Sequence, residues 1–412
     1  MRFVNSTSMI AQLTVRGQLA RAVRRGPAPA DRDATTVALI DWLRRAFVAG
    51  GGDAAAASYG MVSGWAGPYP EITGYCIPTL LRYAVQTKDD TLNDLAHRAG
   101  HWLARTRLEG GAICRKQWHP GNTTPSVFNT GQVVDGWCAL AEQDAAHPLW
   151  RGLARESGDW LLAQQELDGS WKRGAYDGIA HTYYTRVAGP LARLAVLLGD
   201  ARYAEAAHRN ITWTLWQQDA DGWIHRAGFA RAEAPTTHTI AYVLEGLVTV
   251  GTLLDEPRYI EAGDRAARAL RRVFERRGVL PGRFDTGWRE AADWRCVTGD
   301  AQVGLVWSQL ARATGDPAYH AAAARIADQV RGAIELRPDW PEMSGALPGS
   351  LPRSGDYDRF AYPTHAVKFA LDLIDSLAPA ATSAAVNPAT AVSAARRPAT
   401  RLPPFGRMER SA

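Results

Sequence analysis

The sequence predicts an all-α fold, an (α/α)6 toroid of six inner and six outer helices with long rim loops on one face. Three observations predict it. A threonine opens a weakly charged apolar run six times, at Thr73, Thr130, Thr185, Thr239, Thr298 and Thr364, at intervals of 57, 55, 54, 59 and 66 residues. An amphipathic segment follows each of the first five runs, and "DATTVALIDWLRRAFVAG" from Asp33 supplies a sixth before Thr73. The connections fall into two length classes, a few residues from inner to outer helix and roughly fifteen to thirty from outer to inner.

The inner runs read "TGYCIPTLLRYA", "TGQVVDGWCALA", "TRVAGPLARLAV", "TIAYVLEGLVTV", "TGDAQVGLVWSQ" and "THAVKFALDLID". Few charges over such lengths suit helices buried nearly all round, and a leading threonine suits a cap on free N–H groups. Pro78 and Pro190 each fall five residues after a column threonine. An irregular first turn is expected there, with the Gly74 and Arg186 carbonyls freed for other partners. The outer segments "DARYAEAAHRNITWTLWQQ", "EPRYIEAGDRAARALRRVF" and "DPAYHAAAARIADQV" open on an acidic cap, with Pro257 and Pro317 at the first helical position. In "QELDGSW" and "QDADGW" an Asp–Gly turn brings Trp171 and Trp223 back onto the repeat, a structural device.

Long loops over a rigid ring carry function, and here all lead into inner-helix N-termini. Their positive dipole ends favour an anionic ligand such as a carboxylate or phosphate. Glu71 and Asp300 are the expected acid/base pair, because glycosidic cleavage needs two carboxylates across a cleft. Tyr184 and His238 are the alternative proton carriers, with Arg186 to hold a uronate carboxylate during elimination or epimerisation. Trp65, Tyr75, Trp118, Asn129, Gln132, Tyr183, Gln302 and His365 complete the expected substrate-binding set beside Arg186. Asp177, Asp356 and Asp358 are loop carboxylates better suited to capping turns. Each such residue also has a private structural use at a helix start; their recurrence at one level is what suggests a site.

Charge and cysteine content exclude several classes. The 412 residues carry a net charge of +5, but residues 1–32 hold +5 and residues 378–412 hold +4, which leaves −4 on residues 33–377. The expected organisation is a basic flexible arm (1–32), one toroid domain (33–377) and a disordered Ala/Pro/Arg-rich tail (378–412). A nucleic-acid footprint is not supported, although the basic tails suit weak contact with anionic lipid or polymer. Cys76, Cys114, Cys138 and Cys296 form no Cys-x-x-Cys pair. No run approaches the roughly twenty apolar residues of a membrane span, and the N-terminus lacks a continuous apolar signal region. A cytoplasmic protein is expected.

"PYPEITGYCIPTLLRYA", "NTGQVVDGW", "DGSWKRGAYDGIAHTYYTRVAGPLARL" and "THTIAYVLEGL" resemble the VpsJ-type proteins of bacterial exopolysaccharide gene clusters, over about residues 34–377. The resemblance implies the toroid and a role in making or trimming a secreted polysaccharide; it carries over no catalytic residue. Prenyltransferase β subunits share a toroid and bind zinc through Cys, Asp and His, but "DWRCVTGD" departs from their Asp-x-Cys spacing. Terpene cyclases have an Asp-x-Asp-Asp motif that is absent here. The expectation is a glycan-modifying enzyme with no cofactor or metal, hydrolysis standing slightly ahead of uronate lyase or epimerase chemistry. An oligosaccharide, polysaccharide or sugar-linked intermediate would be its partner. The alternative is a non-catalytic glycan-binding or scaffold component.

Overall fold

The structure, a computed structural model, describes residues 32–336 and 340–378. The expected basic arm and the Ala/Pro/Arg-rich tail fall almost wholly outside the described residues. Among the described residues are twelve α-helices. The inner helices are α2 (Pro70–Thr87), α4 (Val127–Gln143), α6 (Thr185–Leu198), α8 (Thr237–Leu253), α10 (Val297–Thr314) and α12 (Thr364–Ser376). The outer helices are α1 (Arg32–Ala49), α3 (Asp90–Arg105), α5 (Pro148–Gln164), α7 (Ala201–Leu215), α9 (Pro257–Arg277) and α11 (Pro317–Arg331). Each inner helix packs on the next, and α12 packs back on α2, so the ring closes.

Short strands on the rim reinforce that closure. β1 (Ser58–Gly60) pairs antiparallel with β2 (Gly64–Trp65) and with β7 (Ala361–Pro363), with Tyr59 opposite Tyr362. The first rim loop is thereby tied to the last. β3 (Phe284–Asp285) pairs with β4 (Arg289–Glu290), and β5 (Arg295–Cys296) pairs with β6 (Ser350–Leu351).

The threonine column has a different job from the expected one. Thr73 and Thr130 lie one turn inside their helices, donate back to the Tyr69 and Ser126 carbonyls, and accept the loop N–H of Ala55 and Ile113 at 3.0 Å. Thr364 donates to the Ala56 carbonyl and Thr185 to the carbonyls of Tyr242 and Val243. These four pin rim loops and neighbouring helices, Thr239 bonds back to Thr236 at its own helix start, and Ser126, Thr236 and the Cys296 thiol do the capping. Pro78 and Pro190 lie inside continuous helices, and the Arg186 carbonyl takes the Gln132 amide at 3.2 Å.

Half of the outer ring is stitched by buried tyrosines in the first turn of α7, α9 and α11. Tyr203 donates to Asp159 at 2.8 Å and Tyr319 to Asp264 at 2.7 Å, while the Tyr259 hydroxyl meets His208 at 2.9 Å. Asp200 and Asp316 cap α7 and α11 as expected, whereas Glu256 makes no side-chain cap. Trp171 is buried with its indole N–H on the Leu161 carbonyl, and Gln165 and Gln218 each bridge their turn to the next outer helix.

Candidate active site

Glu71 stands in the first turn of α2, half-buried. Burial raises its carboxyl to about 7, although the Tyr75 hydroxyl and the Arg186 charge both pull the other way. Desolvation wins because no cation is in direct contact to compensate it. The Tyr75 hydroxyl lies 2.5 Å from that of Tyr242 on α8, and the two rings stack at 6.4 Å. A hydroxyl chain therefore runs from Glu71 through Tyr75 to Tyr242.

His238, at the start of α8, continues this cluster. Its ring centre is 4.3 Å from Tyr242 and 5.5 Å from His365. Nδ1 is 2.5 Å from Oε1 of Gln302 on α10. An amide oxygen only accepts, so Nδ1 carries the proton and Nε2 keeps its lone pair. Burial lowers His238 to about 4, with Arg186 adding to the shift against the Gln302 bond. His365 is also held well below the usual imidazole range, by burial and by the neighbouring His238 and Lys368. Both rings are neutral at pH 7. Tyr357, from the loop before β7, covers them: its hydroxyl meets His365 Nε2 at 2.8 Å and its ring lies 5.1 Å from His238.

Beneath Tyr75 lies a layer of buried ion pairs. Arg186 contacts Glu245 at 3.3 Å with its guanidinium 5.5 Å from the Tyr75 ring. Lys368 contacts Asp372 at 2.6 Å with its ammonium 5.6 Å from the same ring. Arg193 joins Asp135 and Glu142, and Arg82 joins Asp372 and Asp375. All but Lys368–Asp372, which lies within α12, link neighbouring inner helices.

The structure brings Glu71, Tyr75, His238, Gln302 and His365 together, and Tyr183 joins them through its ring contact with Tyr242 at 6.5 Å. It does not bring Asp300 to Glu71. Asp300 is 0% exposed, and its Oδ2 receives two N–H groups of Arg295 at 2.7 and 3.1 Å, which makes it an internal tie of the α10 entrance. Tyr184 is fully buried and its hydroxyl accepts the Tyr176 N–H of the rim loop, so it is a loop anchor. Arg186 is committed to Glu245. Asn129 is held by Ser126 and the Cys114 carbonyl, and Gln132 by the Phe128 and Arg186 carbonyls. Trp65 packs on Trp42 of α1 at 4.9 Å and Trp118 on Trp102 of α3 at 5.9 Å, both toward the outer ring.

Cys296 caps α10 through the Gly299 N–H, and burial pushes its thiol up. Among the described residues no group of three His, Cys, Asp or Glu is placed to hold a metal ion. Nor is any described helix long and apolar enough to cross a membrane. Sequence reasoning passed over Tyr242, Glu245, Tyr357 and Lys368. A single charge inside an apolar run, as in "YVLEGL" and "HAVKFA", was the available signal for Glu245 and Lys368.

No protein-family model matches the chain, and no curated protein matches it. Solved structures do. A D-mannose isomerase gives a TM-score of 0.65 at 10% identity, over 85% of this chain and 100% of its own. Cellobiose 2-epimerase from Bacillus thermoamylovorans B4167 gives 0.64 at 11% identity, over 83% and 99%. Unsaturated glucuronyl hydrolase from Bacillus sp. GL1 gives 0.64 at 14%, over 83% and 95%. At these identities the likeness shows the fold, a six-hairpin (α/α) toroid that also carries several enzymes acting on carbohydrates.

Proposed function

We propose that this chain is a carbohydrate-active enzyme that moves protons on a sugar, with Glu71 and His238 as the acid and base. The observation that carries the reading is a carboxyl near pKa 7 sharing one basin with a neutral imidazole whose Nδ1 is fixed and whose Nε2 is free. A proton donor that titrates near the working pH is poised both to give and to take. In an epimerisation or isomerisation, His238 Nε2 would remove the proton from the carbon beside a sugar carbonyl. The C–H electron pair would move into a C=C bond as the carbonyl oxygen takes a proton from Glu71. Reversal, with the proton returned to the other face or the adjacent carbon, completes the reaction without net oxidation.

Hydrolysis is the second reading, and Asp358 favours it. Asp358 is exposed beside Tyr357 on the same rim loop, where partial desolvation lifts its carboxyl to about 6, so that loop offers a second carboxylate of raised pKa. The expected Glu71–Asp300 pairing gives way to Glu71–Asp358 in this case. The resemblance to VpsJ-type proteins supports a glycan of exopolysaccharide manufacture as the substrate source.

Incubation with a panel of oligosaccharides in deuterated water tests the reading. Deuterium gained at carbon in an otherwise isobaric product supports epimerisation or isomerisation, and a sugar lost with added water supports hydrolysis. Absence of both, with retained binding, would make the protein a glycan-binding component.

A further inference from the structure

The sequence led us to expect an anionic ligand, drawn by helix N-termini and Arg186. The geometry argues the opposite. Two cations act electrostatically on groups of the basin, Arg186 on Glu71 and His238 and Lys368 on His365, while Arg115 acts on the loop anchor Tyr184. Arg186 is buried against Glu245, and Lys368 is buried against Asp372. Both lie against the ring of Tyr75, whose hydroxyl meets that of Tyr242. Arg115 acts at the hydroxyl end of Tyr184, where that hydroxyl is bound into the rim loop, and donates to the Ala175 carbonyl at 2.7 Å.

Helix N-termini carry only partial charge and differ around the ring. The first turns of α4, α8 and α10 each spend one N–H on Ser126, Thr236 or Cys296, whereas α2, α6 and α12 carry no side-chain cap. The groups gathered with Tyr75, the hydroxyl neighbour of Glu71, are the hydroxyls of Tyr242 and Tyr357 and the imidazoles of two neutral histidines. Hydroxyls and neutral imidazoles suit sugar hydroxyls. A carboxylate or phosphate brought here would be stripped of water and, among the described residues, would compete with Glu245 and Asp372 for cations already paired.

We propose that the sugar accepted beside Glu71 is uncharged, a neutral hexose unit rather than a uronate or a sugar phosphate, and that the Arg186–Glu245 and Lys368–Asp372 pairs enforce this choice. The inference rests on the reading of the basin as a sugar site.

The test uses the full chain and three matched pairs of methyl glycosides: glucoside with glucuronide, galactoside with galacturonide, mannoside with mannuronide. Affinities are read by saturation-transfer NMR and calorimetry. In the best-binding pair the neutral member is expected to bind at least about tenfold tighter. A uronate that binds as well or better overturns the inference and leaves the sugar site standing, whereas failure of all six to bind overturns the sugar site itself. Glu245→Gln then releases Arg186, and Asp372→Asn releases Lys368 if the first variant does not fold. Uronate affinity should rise several-fold in the folded variant while neutral affinity holds. Unchanged uronate affinity in a folded variant refutes the enforcing role of the pairs.

Discussion

His238 and Gln302 meet across the gap between α8 and α10, Nδ1 to Oε1 at 2.5 Å, so one inner helix sets the tautomer of a base carried by the next. Both are buried, and the bond survives only while the two helices keep their spacing. Gln302→Leu should therefore lower turnover by about ten- to a hundredfold. Gln302→Glu places a carboxylate beside the ring and raises the imidazole pKa, so the acid limb of the pH–rate profile should move to higher pH. A histidine NMR titration checks the shift directly. An unmoved His238 resonance in the Glu variant would separate the two residues functionally.

Glu71 makes stability depend on pH. Its folded pKa of about 7 lies above the ordinary 4.5, so the fold binds more protons than the unfolded chain between those values. The carboxyl costs nothing below pH 4.5, and its penalty grows as pH rises through 7 to about 3 kcal/mol at most. Glu71→Gln should raise the melting temperature at pH 8 and leave it unchanged at pH 4. His238 acts in the opposite sense, since a folded pKa of about 4 against 6.5 makes stability fall as pH drops through that window. His238→Gln should gain relative stability at pH 4, and thermal scans of both variants at the two pH values distinguish them.

Asp300 and Glu71 should part company under mutation. Asp300→Asn weakens the tie to Arg295 at the start of α10, with a loss of about 1–2 kcal/mol by denaturant titration. Turnover should persist in that variant, whereas Glu71→Gln abolishes it with binding retained. Loss of turnover in a folded Asp300→Asn protein would return Asp300 to the chemistry.

The ring was legible in the sequence because repetition made it so. Six threonine-led runs and the acid–Pro–x–Tyr openings marked the helices at nearly correct places. What each polar residue does was far less legible. Thr130 and Asn129 are neighbours in sequence and both fasten the rim loop, yet either could have faced a ligand. Asp300 stood in the first turn of its inner helix, as Glu71 did, but Arg295 five residues earlier turns back onto it. Tyr242 and Glu245 sat within an apolar run and read as core. Only packing of α8 against α2 and α6 gives them partners.

The inner ring tolerates no bulk where its helices touch. A Cβ on Gly246 of α8 would stand 2.4 Å from the Thr185 backbone of α6. Gly246→Ala should destabilise the fold by about 2–4 kcal/mol, read by denaturant titration. An outer-ring variant, Tyr319→Phe, should cost about 1–2 kcal/mol by losing its bond to Asp264 and leave the basin undisturbed.

The most direct measurement needs no substrate. Carbon-13 NMR of carboxyl-labelled glutamate, with Glu71→Gln to assign the signal, follows Glu71 through pH. The account predicts a midpoint of about 7. A midpoint near the ordinary 4.5 would show a solvated surface carboxylate and contradict a proton-transferring basin.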